Sequence, residues 1–163
     1  HYMKVVSAKT AALFAAAAEG GAVLAARDSD FIASMRAYGE NLGIAFQLVD
    51  DALDYSGRQA LMGKSVGDDF REAKMTLPII LSVARADETA RAFWQRVIET
   101  GNQTETDLHH AISLVEQTGS IQETMRRARA YADAAKDALA VLPASEIRTA
   151  LSDIADFCVE RAY

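Results

Sequence analysis

The chain has 163 residues, half of them apolar, and carries a formal net charge of −6 at pH 7. The acidic balance argues against a nucleic-acid-binding surface, and no apolar stretch approaches the ~20 residues that a transmembrane helix needs. The single cysteine, Cys158, excludes a disulfide-built fold and is expected to be a buried thiol in a reducing cytoplasm.

The first third of the chain predicts two long helices. Abundant alanine and the lack of alternating β-branched residues indicate an all-α fold, with residues 1–163 forming a single helical domain. A first helix is predicted over residues 5–26, with Gly20-Gly21 as a bend or close-packing point. Asp28-Ser29-Asp30 offers N-cap candidates for a second helix, because apolar residues recur at spacings of three and four over residues 31–55.

Beyond the second helix, the apolar pattern stops over residues 56–75, where Gly57, Gly63 and Gly67 punctuate a polar segment. A connection that long inside a compact domain is usually functional or disordered. Helix resumes at Pro78, which is well tolerated in a first turn. The remaining helices are predicted over residues 76–85, 88–98, 105–118, 121–141 and 145–161.

The stretch AFQLVDDALDYSG, residues 45–57, places three aspartates in an apolar run. At roughly 100° per residue, Gln47, Asp50, Asp51 and Asp54 share one arc of the second helix. Three like charges on one arc raise each other's pKa unless a cation compensates them, and oxygen-only ligands select Mg²⁺. The alternative is a solvated acidic stripe on an amphipathic helix.

Two lysines follow in the glycine-punctuated segment. Lys64 and Lys74 are mobile point charges that suit the outer oxygens of a diphosphate held by Mg²⁺. A single loop lysine, taken alone, is more often a solvated surface residue.

Three sequence motifs resemble those of a known protein family and occur in the same order along the chain. FQLVDDALDYSG followed by MGKSVGDDFREAKMTLP resembles the second aspartate-rich region of the trans-isoprenyl diphosphate synthases, also called polyprenyl synthetases. Upstream, KTAALFAAAAEGGAVLA over residues 9–25 is similar to the KT-containing helix of that family. The resemblance covers residues 9–78 and implies an orthogonal helical bundle of the isoprenoid synthase type. No first aspartate-rich motif is visible, so the chain is expected to be the C-terminal part of that bundle.

The resemblance also implies roles for the aspartates. In the family the second motif binds Mg²⁺ that bridges the diphosphate of the allylic substrate, which maps to Asp50, Asp51 and Asp54. Asp50 is the expected direct ligand, with the other two acting partly through water. The FQ glutamine of the family corresponds to Gln47, with its amide oxygen near the same cation.

The resemblance also implies that basic residues bind the diphosphate. Lys9 is expected to contact diphosphate, and the main chain and hydroxyl of Thr10 face the developing carbocation. Lys64 matches the lysine after the motif, and Lys74 matches the lysine before TLP. The family usually has glycine where Ala73 stands, so a methyl group at that bend could shift Lys74.

The implied activity is condensation of isopentenyl diphosphate with an allylic prenyl diphosphate to a long-chain polyprenyl diphosphate, by a protein that is a homodimer when intact. This chain alone is expected to be inactive. The alternative is a non-catalytic partner subunit of a heteromeric synthase, although such subunits are expected to lose the aspartates and lysines. A di-iron bundle would need Glu-x-x-His motifs, which do not occur, and terpene cyclases have different acidic motifs.

Overall fold

The structure, a computed structural model, describes residues 1–56 and 66–161, and within these residues it is helical and has no strand. The helices fall into two compact units. Unit 1 comprises residues 1–49 and the chain from Arg126 onward, and unit 2 comprises residues 50–125. The expectation of a single domain stays a prediction.

Unit 1 begins with one continuous helical run. Helix α1 (Tyr2–Val6) passes through a π-helical turn, Ser7–Ala11, into α2 (Ala12–Leu24). Helix α3 (Ser29–Leu53) follows, and the Asp28 carboxylate caps it by accepting the N–H of Phe31 at 2.9 Å. The two long helices of the sequence analysis are thus confirmed, and the π-helical turn is an addition that residue spacing did not indicate.

Small residues set the distance between α2 and α3. A Cβ atom on Gly43 would stand 2.6 Å from the Cα atom of Ala11, and one on Gly39 would overlap the backbone carbonyl of Phe14. Since real Cβ atoms do not approach other atoms so closely, glycine is required at both positions. The π-helical turn and the start of α2 therefore contact the middle of α3 through their backbones.

The C-terminal part of unit 1 consists of α8 (Ser120–Ala138) from Arg126 onward, a 3₁₀ turn (Leu139–Val141) and α9 (Glu146–Glu160). The Ser145 hydroxyl caps α9 by accepting the N–H of Arg148. Tyr38 on α3 donates its hydroxyl hydrogen to the Leu151 carbonyl at 2.9 Å, and burial raises the pKa of this phenol to about 12. Cys158 on the inner side of α9 is buried with a free thiol, as predicted.

Unit 2 holds the shorter helices, which are α4 (Asp68–Arg71), α5 (Leu77–Arg85), α6 (Glu88–Trp94) and α7 (Asp107–Gln117). A second π-helical turn, Gln95–Glu99, extends α6. Their shared core contains buried aromatic and aliphatic side chains, among them Tyr55, Phe70, Ile79, Trp94 and Val97. Helices α5, α6 and α7 were predicted, but α4 lies in the segment that was expected to be a loop.

An ion pair between the partly exposed Arg96 and the buried Asp107 connects the π-helical turn to α7 within unit 2. The Arg96 guanidinium donates to both carboxylate oxygens of Asp107, at 2.7 and 2.9 Å, and Asp107 also accepts the N–H of Thr104 at 2.7 Å. These contacts hold the pKa of Asp107 well below its usual range.

A search of the described helices for a membrane-spanning segment found none with the necessary length and hydropathy.

Candidate functional site

The predicted KT pair lies in the π-helical turn of unit 1. The Thr10 hydroxyl donates to the side-chain Oε1 of Gln47 at 2.8 Å, which joins two residues 37 positions apart in sequence. Lys9, the neighbouring residue, is exposed. π-Helical turns shift the register of the side chains that follow them and are frequent at functional sites. The structure thus brings together two of the three residues that the sequence analysis assigned to catalysis.

Packing in unit 1 explains why Thr10 and Gln47 meet. Ala11 is fully buried against Gly43, so the turn that carries Thr10 lies directly on α3. One helical turn further along each helix, the rings of Phe14 and Phe46 contact each other with centroids 5.6 Å apart. The hydrogen bond is therefore flanked by close backbone packing on one side and an aromatic contact on the other.

Sequence reasoning missed a third contact beside Gln47. Arg161, just past the end of α9, donates to the Phe46 carbonyl at 3.0 Å and places its guanidinium 4.1 Å from the centroid of the Phe46 ring. This combination of hydrogen bond and cation–π contact links residues 115 positions apart. No motif or spacing in the sequence pointed to it, because an arginine near the end of a helix is usually a surface residue.

Asp50 and Asp51 lie in the last turn of α3 and Asp54 directly follows that helix, so all three belong to unit 2. Asp51 and Asp54 are buried, with 2% and 5% of their surface exposed, and Asp50 is half-buried. Buried carboxylates are costly unless hydrogen bonds or a cation compensate them. Burial at this level is inconsistent with the alternative of a solvated acidic stripe.

Asp54 is aimed at the start of α4. Its two carboxylate oxygens accept the backbone N–H groups of Asp68 and Asp69, at 3.2 and 3.0 Å. The carboxylate thereby satisfies donors that the first turn of a helix leaves without a partner. Burial and the nearby carboxylate of Asp69 nevertheless raise the pKa of Asp54 to about 6, so its negative charge is only partly compensated.

This orientation of Asp54 differs from the expected convergence of three carboxylates. Within residues 1–56 and 66–161, no group of three or more His, Cys, Asp or Glu side chains is placed so that it could hold a metal ion. The helical arc argument treated Asp50, Asp51 and Asp54 as parts of one helix and considered that helix alone. It did not include α4, whose free N–H groups attract the third carboxylate.

Lys74 lies in the same unit and contacts acidic side chains. Its ammonium is 2.6 Å from a Glu72 oxygen and 3.0 Å from an Asp69 oxygen, and these contacts raise the pKa of the lysine. Lys74 is therefore linked through Asp69 to the helix that Asp54 caps. Lys64, the other predicted diphosphate ligand, lies outside the described residues.

The backbone around α4 explains two features of the GDD and KxTLP motifs. Gly67 has φ 81°, and a Cβ atom there would overlap the Leu108 side chain, so only glycine fits. Ala73 has φ 53°, in the left-handed region that favours glycine. The family's usual glycine at this position thus has a conformational reason, and Ala73 keeps the same bend at some cost in backbone strain.

The ligand atoms that these residues offer can be compared with those that the implied Mg²⁺ would need. The acidic groups of α3 and α4 supply carboxylate oxygens only, which is the donor type that Mg²⁺ prefers. Burial first, and the carboxylate of Asp69 second, raise the pKa of Asp54, and a nearby cation would lower it again. The residues therefore fit a hard divalent cation at Asp50 and Asp51, with Asp54 supporting them through α4.

Comparisons with known proteins agree with these motifs. The family model for polyprenyl synthetase matches residues 1–115. Octaprenyl diphosphate synthase of Haemophilus influenzae is 37% identical over 163 residues, which are all of this chain and 49% of that protein. A short chain isoprenyl diphosphate synthase of Methanothermobacter thermautotrophicus is 38% identical, over 99% of this chain and 49% of its own length.

Solved structures show the same relationship in three dimensions. A decaprenyl diphosphate synthase from Rhodobacter capsulatus superposes with a TM-score of 0.93 at 49% identity, covering 99% of this chain and 50% of that one. A polyprenyl synthase from Caulobacter crescentus, complexed with calcium and isoprenyl diphosphate, gives 0.94 at 49% identity, with 99% and 49% covered. The chain spans about half the length of the relatives it matches. The all-α fold is that of the isoprenyl diphosphate synthases, and the chain belongs to the polyprenyl synthetase family.

Proposed function

We propose that this chain is the part of a prenyltransferase that binds the diphosphate of an allylic prenyl diphosphate through Mg²⁺. The observation that carries the proposal is the burial of Asp51 and Asp54 beside the half-buried Asp50 on one helix, with oxygen donors only. The family membership supports it, and so does the relative that was solved with calcium and isoprenyl diphosphate.

In this proposal Asp50 is the direct ligand of the cation, Asp51 supports it, and Asp54 acts by holding α4. When bound, Mg²⁺ neutralises the charge that builds up on the diphosphate as it leaves. Lys9 and Lys64 add positive charge to the remaining oxygens. Lys74 would have to leave Asp69 and Glu72 before it could contact diphosphate, so its first role is to hold Asp69 beside α4.

Thr10 and Gln47 are suited to stabilise the positive charge that develops on the prenyl chain. Because the Thr10 hydroxyl donates its hydrogen to Gln47, its oxygen lone pairs stay available to a positive centre. The C–O bond of the allylic diphosphate breaks and diphosphate leaves with the electron pair. The double bond of isopentenyl diphosphate then forms the new C–C bond, and a proton is lost from the adjacent carbon. Preorganised dipoles lower the barrier to such ionisation.

The proposal extends to the setting of the reaction. The product is a long-chain polyprenyl diphosphate, the intact protein is a homodimer, and it works in the cytoplasm. The 163 residues carry a single DDxxD motif, so we expect negligible turnover by this chain alone. A radiolabelled condensation assay at the rate of an intact synthase would overturn that expectation.

Binding measurements test the central claim. A non-hydrolysable thiolodiphosphate analogue of farnesyl diphosphate is titrated into the chain with and without Mg²⁺. We expect each ligand to raise the binding affinity of the other at least tenfold, because the effects of two ligands at a shared site are reciprocal. Asp50→Asn should abolish this mutual effect, whereas Asp30→Asn, an exposed aspartate in the first turn of the same helix, should leave it intact. A non-catalytic scaffold would show no mutual effect in any variant.

A further inference from the structure

Unit 1 contains an apolar cavity of about 730 Å³ that takes no part in the proposed prenyl transfer. It lies between the C-terminal half of α2, the first turns of α3, and the segment that leads into α9. Phe31, Met35, Leu142 and Leu151 form one side of it, and alanines and Gly21 of α2 form the other. Small-molecule sites in proteins typically have volumes of roughly 300 to 1,000 Å³ and apolar linings of this kind.

The cavity exists because α2 presents no large side chain to it. No heavy atom lies within 4 Å of the point where a Cβ atom on Gly21 would stand, so this glycine faces open space. Phe31 and Met35 on the other side are themselves buried, at 8% and 9% exposure, and are fixed by the core of unit 1. The cavity thus has a buried floor at Phe31 and Met35 and is open to solvent at its rim, where Gly21 and Ile147 are exposed.

Arg27 supplies a positive charge at the edge of this cavity. Its guanidinium lies 4.3 Å from the centroid of the Phe31 ring, and the side chain is exposed. Among the described residues that line the cavity, Arg27 is the only charged one. The neighbouring Asp28 does not line the cavity, and its carboxylate accepts the N–H of Phe31 at the start of α3.

The turn between α2 and α3 fixes the position of Arg27. The N–H of Arg27 bonds to the Ala22 carbonyl and the N–H of Ala26 bonds to the Val23 carbonyl, at 3.2 and 2.9 Å. These two bonds form a Schellman motif, with Ala26 in the left-handed conformation at φ 51°. The arginine is therefore held beside the cavity by its backbone as well as by its contact with Phe31.

We propose that this cavity binds an anionic single-chain amphiphile, with the hydrocarbon tail between α2, α3 and α9 and the anionic head on Arg27. An apolar cavity with one cation at its edge is complementary to such a molecule in both polarity and charge. Isoprenyl diphosphates and fatty acids share this chemistry. The proposal does not depend on the proposed prenyl transfer, since no lining residue belongs to the candidate site.

Titration calorimetry in EDTA tests the proposal, because without divalent cations the aspartates cannot hold a diphosphate. The probes are farnesyl diphosphate and dodecanoate, each below its critical micelle concentration, with farnesol and inorganic diphosphate as tail-only and head-only controls. We expect one amphiphile per chain, binding several-fold tighter than farnesol, and no binding of inorganic diphosphate. A response to only one amphiphile identifies the ligand as an isoprenoid or a fatty acid, and either result supports the proposal.

Two adjacent glycines provide a matched pair of variants. Gly21→Leu fills the cavity and should weaken binding at least tenfold, whereas Gly20→Leu, at a position that is equally open but outside the lining, should leave it unchanged. Both changes replace a glycine inside a helix by a good helix former, so neither should reduce stability. Arg27→Gln should reduce the affinity of the amphiphiles about three- to tenfold and leave that of farnesol unchanged.

The outcomes separate this site from the candidate active site. Asp50→Asn should not change the affinity measured in EDTA. The proposal is overturned if neither amphiphile binds, if Gly20→Leu and Gly21→Leu weaken binding equally, or if Asp50→Asn abolishes it.

Discussion

Units 1 and 2 hold their functional residues in different ways. In unit 1, Thr10 meets Gln47 because Gly39 and Gly43 let two helices come into backbone contact. In unit 2, Asp54 is held by the N–H groups that begin α4, and Lys74 is held by two carboxylates. Steric packing positions the first set, and charge and hydrogen bonding position the second. The two units should therefore respond differently to changes in side-chain volume and in pH.

The largest effect is expected from adding volume in unit 1. Gly39→Ala would drive a methyl group into the Phe14 carbonyl, an overlap that costs roughly 3 kcal/mol, offset by about 1 kcal/mol of helix propensity. The free energy of unfolding should fall by about 2 kcal/mol in urea denaturation followed by circular dichroism. Gly20→Ala, which meets no atom within 4 Å, should raise it slightly. Equal effects of the two changes would contradict the packing argument.

An intermediate effect that depends on pH is expected in unit 2. Arg96 lowers the pKa of Asp107, so the stability from this pair is fully present above the unfolded-state pKa of about 4. It is lost as the pH falls below that value toward the folded-state pKa. Asp107→Asn should therefore lower the urea midpoint by a constant amount between pH 7 and 5, with the difference shrinking below about pH 4. Asp133→Asn, an exposed helical aspartate, is the control. A difference that stays constant down to pH 2.5 would refute the assignment.

The smallest effect concerns backbone conformation, and here the two units should behave alike. Ala73 in unit 2 and Ala26 in unit 1 have φ 53° and 51°. Glycine removes left-handed strain of roughly 1–2 kcal/mol but loses part of that gain to unfolded-state entropy. Ala73→Gly and Ala26→Gly should each raise the free energy of unfolding by about 0.5 to 1 kcal/mol. A loss of stability in either variant would show that the methyl group makes contacts that outweigh the strain.

Much of the fold follows from local sequence. Apolar spacing predicted α3 within two residues of its observed ends, and Ser145 and Pro78 marked the starts of α9 and α5. Helix α4 was not predicted, because its four residues, three polar and one apolar, are too few to show a helical period. Its start depends on a carboxylate 14 residues earlier in the chain, which no local window contains.

The candidate site was also predictable only in part. Motif resemblance identified Thr10, Gln47 and the three aspartates, and the burial of Asp51 and Asp54 agrees with a role beyond a solvated surface. The orientation of Asp54 toward α4 and the contact of Arg161 with Phe46 were not predictable. Both are contacts between elements distant in sequence, and neither residue type nor spacing specifies them.

Through its contact with Phe46, Arg161 supports the part of α3 that presents Gln47. The backbone carbonyl that accepts from Arg161 belongs to the residue directly before Gln47. Arg161→Ala would remove this hydrogen bond and ring contact while leaving every proposed ligand in place, so it separates the support behind the glutamine from the ligands themselves.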